Sequence, residues 1–226
     1  MQEAIVIGEL NRSGFLATLD DFLAIYAAAM GANPAELPSR RAIMERHSGS
    51  PDFRALAVTA GSSGRVVAFS YGFRGQPGQR WHDVVRAGVS TAAGLRAADD
   101  WLDDVLEIAE VHVHPDYQAR GIGRQMMLTL SARRTERTAV LSTRDAQTPA
   151  RRLYRSLGFV DLLTDFVFPG GGPPYAVMGA QLPLLGQATA AGESGALAGF
   201  SAVSPELRSS ASSSGDEPDP PQRRRV

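Results

Sequence analysis

The feature that most constrains this fold is an apolar strand that runs through a tight turn directly into a glycine-rich helix start. The segment reads LEIAEVHV, then HPDYQAR, then GIGRQ, and spans residues 106–125. An apolar run of this length indicates a strand buried within a sheet, and the Pro-Asp pair opens a turn. The leading N–H groups of a helix have no partner inside it, so such an entrance favours a phosphate.

Strand and helix signals alternate through the rest of residues 1–185. Apolar runs predict strands at 4–7, 55–59, 65–73, 106–113, 138–142, 159–168 and 175–182. Helical spacing predicts helices at 15–30, 40–46, 121–134 and directly after Thr148-Pro149. The long insert 74–104 has helical patches around 83–89 and 95–102. This order predicts an α/β fold with one mixed central sheet flanked by helices.

The composition changes near residue 186. From 186 to 226 the chain is rich in Ala, Ser, Gly and Pro, and Phe200 is its only aromatic residue. Such a segment cannot bury enough apolar surface to offset the entropy lost on ordering. We therefore predict a single domain at 1–185 followed by a disordered tail at 186–226.

Composition also narrows the class of protein. A net charge of −1 does not favour a nucleic-acid-binding protein. The absence of cysteine excludes thiolate nucleophiles and fits a reducing cytoplasm, and the absence of lysine excludes a Schiff base. The uncharged stretch 166–192 contains four prolines, too many for a membrane helix. We expect a cytoplasmic protein with neither a nucleic-acid nor a membrane partner.

Two motifs narrow the function. The turn lacks the third glycine of a dinucleotide fingerprint, because residue 126 is Met, and it lacks the lysine of a P-loop. Instead, QARGIG at 118–123 resembles motif A of the GCN5-related N-acetyltransferases (GNAT), Gln/Arg-x-x-Gly-x-Gly/Ala. AQTPARRLYRSLGF at 146–159 resembles their motif B ending. The resemblance covers about residues 104–160. It implies a GNAT-like fold and direct transfer of an acetyl group from acetyl-CoA to a primary amine.

The resemblance also implies cofactor contacts. In the family the turn holds the pyrophosphate of acetyl-CoA, which corresponds here to Gln118, Ala119, Arg120, Gly121, Ile122, Gly123 and Arg124. The preceding strand pairs with pantetheine, which corresponds to Val111, His112 and Val113. Gln147 stands where many members have an Asn that contacts pantetheine, so the contact with pantetheine is retained, shifted or lost. Nine arginines between 120 and 155 suit the adenosine 3′-phosphate. No metal is expected, since His112 and His114 have no third ligand in view.

Three residues are candidates for acid–base chemistry. The amine must lose a proton before it attacks, and a carboxylate can take that proton directly or through water. Glu107 and Glu110 are both candidates, with a bound water alone as a further alternative. Strict strand alternation puts them on opposite faces unless a bulge intervenes. Tyr154 matches the family's general acid, although a tyrosine packed in the core is the alternative.

The acceptor is not identified by the sequence. The insert carries Trp81, His82 and Trp101, which either line a pocket or attach the insert to the core. Asp99, Asp100, Asp103 and Asp104 suit a cationic acceptor or form a solvated helix face. We expect a small-molecule or peptide amine acceptor and leave a homodimer open. The alternatives are transfer of another acyl group and a non-catalytic acyl-CoA-binding module.

Overall fold

The structure, a computed structural model, describes residues 3–62 and 64–187 together with the backbone of Ser201–Ala202. Its strands are β1 (Ile5–Leu10), β2 (Arg54–Ala60), β3 (Arg65–Gly75), β4 (Val105–Val113), β5 (Thr138–Arg144), β6 (Val160–Phe166), β7 (Tyr175–Gln181) and β8 (Ser201–Ala202). Its α-helices are α1 (Arg12–Ala17), α2 (Leu19–Met30), α3 (Leu37–His47), α4 (Arg80–Ala93), α5 (Leu95–Leu102), α6 (Ile122–Ser131) and α7 (Pro149–Ser156). Short 3-10 helices occupy Pro34–Glu36 and Pro115–Tyr117.

The predicted mixed sheet flanked by helices is confirmed. The strands follow the order β1-β2-β3-β4-β5-β7-β6, and β8 pairs with β4. The first four form an antiparallel meander, β4 and β5 are parallel, and the remaining pairs are antiparallel. The parallel pair therefore lies at the centre of the sheet and includes β4, the strand that leads into the glycine-rich turn.

Helices cover both faces of the sheet. One face carries α6 and α7, whose apolar side chains pack on Leu106, Ile108, Val111 and Val113 of β4. The other carries α1, α2 and α3 beside β2 and β3, and then α4 and α5 beside β5 and β7. Every residue of β4 is buried. Such burial on both faces explains why this strand reads as a nearly continuous apolar run.

One element departs from the predicted pattern for a local reason. The single helix predicted at 15–30 is two helices that meet at Thr18, where the Thr18 hydroxyl donates a 2.8 Å hydrogen bond to the Gly14 carbonyl. Threonine competes in this way with the backbone of a helix. The insert's second helix lies where it was predicted, at Leu95–Leu102, and its first runs over Arg80–Ala93. Of the predicted tail, residues 188–200 and 203–226 lie outside the described residues.

A bulge interrupts the pairing of β3 with β4. Tyr71 pairs with Glu110 and Gly72 with Ile108, so Ala109 is an extra residue in β4. The two backbones approach so closely here that an added Cβ on Gly72 would lie 2.6 Å from the Glu107 carbonyl oxygen. A bulge bends its strand and reverses the alternation of the faces. Glu107 and Glu110 consequently lie on the same face of the sheet, which is the alternative to strict alternation that the sequence left open if a bulge intervened.

A buried ion pair joins α3 to the bulged strand. The Arg40 guanidinium lies 2.5 Å from a Glu110 carboxylate oxygen, and both side chains are fully buried. Arg40 also donates a 3.2 Å hydrogen bond to the Tyr26 hydroxyl of α2. The other Glu110 oxygen contacts Nε2 of His112. This network fixes α2 and α3 relative to β4.

Arg40→Met should lower the free energy of unfolding by about 3–5 kcal/mol, because it leaves the Glu110 carboxylate buried without its guanidinium partner. Arg41→Met is the matched control on the same helix. Arg41 pairs with the exposed Asp20, an interaction expected to contribute less than about 1 kcal/mol. Urea denaturation measures both variants, and equal losses of stability would show that the buried pair is not a structural anchor.

Candidate active site

The backbone between β4 and α6 is shaped to present N–H groups. Ala119 and Gly121 have φ angles of 59° and 78°, and Gly121 is the N-cap residue of α6. The Gln125 N–H donates to the Gly121 carbonyl at 3.1 Å, so the helical hydrogen bonds begin only there. The N–H groups of residues 122–124 belong to the helical turn that has no intrahelical acceptor. With the positive end of the α6 dipole, they make a fitting site for a phosphate.

The space above this turn is open. A Cβ added to Gly121 would meet no atom within 4 Å, so a ligand can reach the backbone there. Side chains of the same turn are held aside: Gln118 donates to the Val113 carbonyl at 3.1 Å, and Arg120 to the Asp116 carbonyl at 2.6 Å. Arg124 donates to the Ser156 hydroxyl of α7 at 3.1 Å. The turn thereby offers its backbone rather than its side chains.

The two parallel strands separate just beyond Glu107. Pairing between β4 and β5 is limited to Val105–Glu107 and Thr138–Val140, although both strands continue. The bend that the bulge imposes on β4 accounts for this separation. Past it, β4 pairs with β8, where Val111 faces Ala202 and His112 faces Ser201. The edge of β4 at Val111 and His112 can therefore accept an extended partner.

The structure distinguishes the two candidate bases. Glu110 is enclosed by Arg40 and His112, and its carboxylate does not line a cavity described here. Glu107 lies at the last β4–β5 rung and forms part of the wall of a cavity of about 560 Å³. Glu107 is therefore placed where a small molecule could reach it.

This cavity, called here the Glu107 cavity, lies between α3 and the start of α4. Its apolar walls include Ile43, Phe73 and Trp81, and its charged residues are Arg46, Arg80 and Glu107. His47 also lines it, and its Nδ1 lies 3.1 Å from the Tyr71 hydroxyl. Sequence reasoning did not identify Arg46, His47 or Arg80, because they lie far along the chain from both motifs and carry no motif of their own.

Tyr154 lies in the helix that follows Gln147, on the opposite face of the sheet from α3. It is fully buried in the cluster formed by α6 and α7, with its ring centroid 5.8 Å from that of Phe159. Burial raises the pKa of the Tyr154 phenol, and the charge of Glu110 raises it further. The phenol is therefore protonated at neutral pH and able to donate a proton. Gln147 is exposed, and its carbonyl accepts a hydrogen bond from Arg152.

Two of the three aromatic side chains of the insert attach it to the rest of the fold. His82 is buried with Nε2 2.9 Å from the Leu102 carbonyl, and Trp101 packs on Gly179 of β7. Trp81 is the insert's aromatic residue in the cavity wall, and its indole N–H donates to the Ser142 hydroxyl at 3.3 Å. Both roles expected for these aromatic residues therefore occur: Trp81 lines a cavity, and His82 and Trp101 attach the insert to the core.

The acidic run lies away from the cavity. Asp99 and Asp103 pair with Arg86, and Asp104 pairs with Arg74. None of these aspartates, nor Asp100, lines the Glu107 cavity. Their placement supports a structural role for most of the run, in which ion pairs hold α4 and α5 together.

Two further observations concern metal binding and membrane-spanning helices. Within the described part of the chain, no group of three or more His, Asp or Glu side chains is arranged to hold a metal ion. His114 accepts a 3.3 Å hydrogen bond from the Asp116 N–H. The helices of residues 3–62 and 64–187 include none that is long and apolar enough to cross a membrane.

Comparisons with known proteins agree with this geometry. The sequence profile of the acetyltransferase (GNAT) domain matches residues 82–161. A GCN5-like protein acetyltransferase of Mycobacterium tuberculosis is 35% identical over 127 residues. This match covers 54% of the chain and 62% of the relative, so the chain spans less than two thirds of that protein's length.

Solved structures share the fold at low sequence identity. The ribosomal-protein-S18-alanine N-acetyltransferase of Escherichia coli superimposes with a TM-score of 0.52 at 19% identity, covering 84% of this chain and 97% of that one. YncA of Salmonella typhimurium, solved with its cofactor acetyl-CoA, gives 0.51 at 18% identity, with coverages of 79% and 94%. The profile match and the mycobacterial relative show that part of the chain is similar to the acetyltransferase (GNAT) domain, and the solved structures show that the chain has the fold of these acetyltransferases.

Proposed function

We propose that the protein is an N-acetyltransferase that moves an acetyl group from acetyl-CoA directly to a primary amine. The observation that carries this proposal is the conjunction of three features around one break in the sheet. The turn at 118–124 offers a phosphate site, the edge of β4 is open to an extended partner, and Glu107 lines a cavity where the strands separate. YncA, a structure with the same fold, contains acetyl-CoA.

The cofactor would occupy the groove between the separated strands. Its pyrophosphate would accept hydrogen bonds from the turn, and its pantetheine would pair with β4 at Val111 to Val113. Ser201–Ala202 uses the same backbone edge, so this short strand and an acyl-CoA cannot be bound there together. Arg120, Arg124 and Arg152, near the turn and α7, are the candidates for the 3′-phosphate. Arg151 and Arg155 are instead paired with Asp161.

In the proposed reaction, Glu107 takes a proton from the acceptor ammonium, directly or through a water. The free amine attacks the thioester carbonyl, a bond forms between nitrogen and the acetyl carbon, and the carbon–sulfur bond breaks. Tyr154 donates its proton to the departing thiolate, and the proton that the nitrogen releases as the amide forms returns to the Tyr154 phenolate through water. No covalent acyl-enzyme is required, because the enzyme only has to hold both reactants in position. We also propose a cytoplasmic location for this activity.

Gly121→Glu should abolish acetyl-CoA binding. The new carboxylate would project into the open space above the turn, repel the pyrophosphate and strain a residue with a φ of 78°. Calorimetric titration measures the affinity, and Gly94→Glu is the control. Gly94 also has a positive φ, 90°, and open space, but it lies between α4 and α5. Unchanged acetyl-CoA affinity in Gly121→Glu would contradict the assignment of the turn.

Glu107→Gln should lower kcat/KM by about 10²–10⁴-fold near neutral pH, the usual contribution of a general base. The loss should shrink as the pH approaches the pKa of the acceptor, because more of the amine is then already deprotonated in solution. Steady-state rates from pH 6 to 9.5 test this. A loss of the same size across the whole range would argue against proton removal by Glu107.

Tyr154→Phe should lower kcat by at least tenfold and leave acetyl-CoA affinity nearly unchanged, because only the proton donor is removed. Since burial raises the pKa of Tyr154, the wild-type rate should show no loss below pH 10 that depends on this tyrosine. Single-turnover rates and calorimetry separate the two effects. Full activity in the variant would mean that Tyr154 only packs the core.

A further inference from the structure

Trp81 connects the insert to the strand on the far side of the central gap in the sheet. It is the second residue of α4, and its side chain is buried. Its indole N–H donates a 3.3 Å hydrogen bond to the Ser142 hydroxyl of β5. Ser142 lies two residues beyond Val140, the last residue of β5 that pairs with β4. The edge of the indole that carries the N–H therefore lies beside the gap that opens between the two strands.

The same side chain also forms part of the wall of the Glu107 cavity. Trp81 thus borders both the gap and the cavity. It is held in this position by an apolar cluster on α4, β5 and β7, whose fully buried members include Val85, Val140 and Val177. Because protein cores are closely packed, the indole cannot move away from the gap without disturbing this cluster.

The proposed acid and base lie on opposite faces of the sheet. Tyr154 is buried in the cluster formed by α6 and α7, whereas the Glu107 cavity lies on the side of α3 and α4. In the proposed reaction the sulfur must lie near Tyr154 and the amine near Glu107. The thioester would therefore cross the gap between β4 and β5, with its acyl group directed toward the face on which Trp81 lies.

We propose that Trp81 determines donor specificity, by filling the space that an acyl chain longer than acetyl would need. This inference rests on the proposed acetyltransferase function and specifies its donor. A longer chain would have to displace the indole, which would break the hydrogen bond to Ser142 and disturb the packing of the apolar cluster. Forcing extra methylene groups into a space that is already packed is unfavourable, so the site should reject longer donors.

The test compares the binding of acetyl-CoA, butyryl-CoA and hexanoyl-CoA to the full chain by calorimetric titration, with CoA itself as the reference. For the wild type we expect the dissociation constant of hexanoyl-CoA to be at least about tenfold larger than that of acetyl-CoA, and that of butyryl-CoA at least about threefold larger. Trp81→Ala should bring all three within about twofold of one another, by tightening the binding of the longer donors. The affinity for CoA, which has no acyl group, should change less than about twofold.

Trp101→Ala is the matched control. Trp101 belongs to the same insert and packs on Gly179 of β7, but it does not line the Glu107 cavity. This variant should keep the wild-type preference for acetyl-CoA. Trp81→Phe opens less space than Trp81→Ala and should improve the binding of butyryl-CoA more than that of hexanoyl-CoA. If Trp81→Ala does not fold, as judged by circular dichroism, Trp81→Phe decides alone, and an unchanged preference against butyryl-CoA would overturn the inference.

The possible failures can be told apart. If neither CoA nor acetyl-CoA binds to the wild type, the proposed function is wrong, and the inference about Trp81 with it. If both bind but hexanoyl-CoA binds as tightly as acetyl-CoA, or if the preference survives in Trp81→Ala, only the role of Trp81 is wrong. An equal loss of preference in Trp101→Ala would also overturn this role, because the effect would then come from a loosened insert.

Discussion

The extra residue at Ala109 determines how the centre of the sheet is built. Because the bulge bends β4, this strand leaves β5 after three paired residues, and a groove opens between strands that would otherwise be hydrogen bonded. Because the bulge also reverses the alternation of the faces, Glu107 and Glu110 point to the same side. Gly72 permits this geometry, since any side chain there would collide with the Glu107 carbonyl. One irregularity thus opens the groove for the proposed cofactor and positions the carboxylate for the acceptor.

The two glutamates then differ because of their neighbours. Glu110 is neutralised by a buried guanidinium and contacts His112, an arrangement that holds α3 against the sheet. Removing one partner of such a pair leaves an isolated buried charge, so we expect the substitution to lower mainly the free energy of unfolding. Glu107, one bulge away, lines a cavity instead. The same residue type on the same face can therefore support the fold in one position and serve the proposed chemistry in the other.

The elements that depend on residues close together along the chain were predicted from the sequence. The strand at 106–113, the turn and the helices around Gly121 and Pro149 follow from local periodicity and capping, and each was found within a few residues. The face of the sheet on which Glu107 lies could not be predicted, because a bulge in β4 depends on its pairing with β3, which is more than thirty residues away along the chain. Arg46, His47 and Arg80 were missed for the same reason, since α3 and α4 meet at the cavity only through tertiary packing. The helix break at Thr18 reflects a side-chain hydrogen bond that competes with an otherwise helical pattern.

The charged residues around the Glu107 cavity show how proximity along the chain can mislead. The aspartates at 99–104 immediately precede the strand with Glu107, and as a sequence they suggest an acidic site. In three dimensions α5 runs beside α4, and the paired arginines Arg86 and Arg74 use those carboxylates to fix the insert. Arg46 of α3 and Arg80 at the start of α4, which are distant in sequence, line the cavity instead. The charged residues that line this cavity are therefore determined by the packing of α3 and α4 as well as by the segment that carries Glu107.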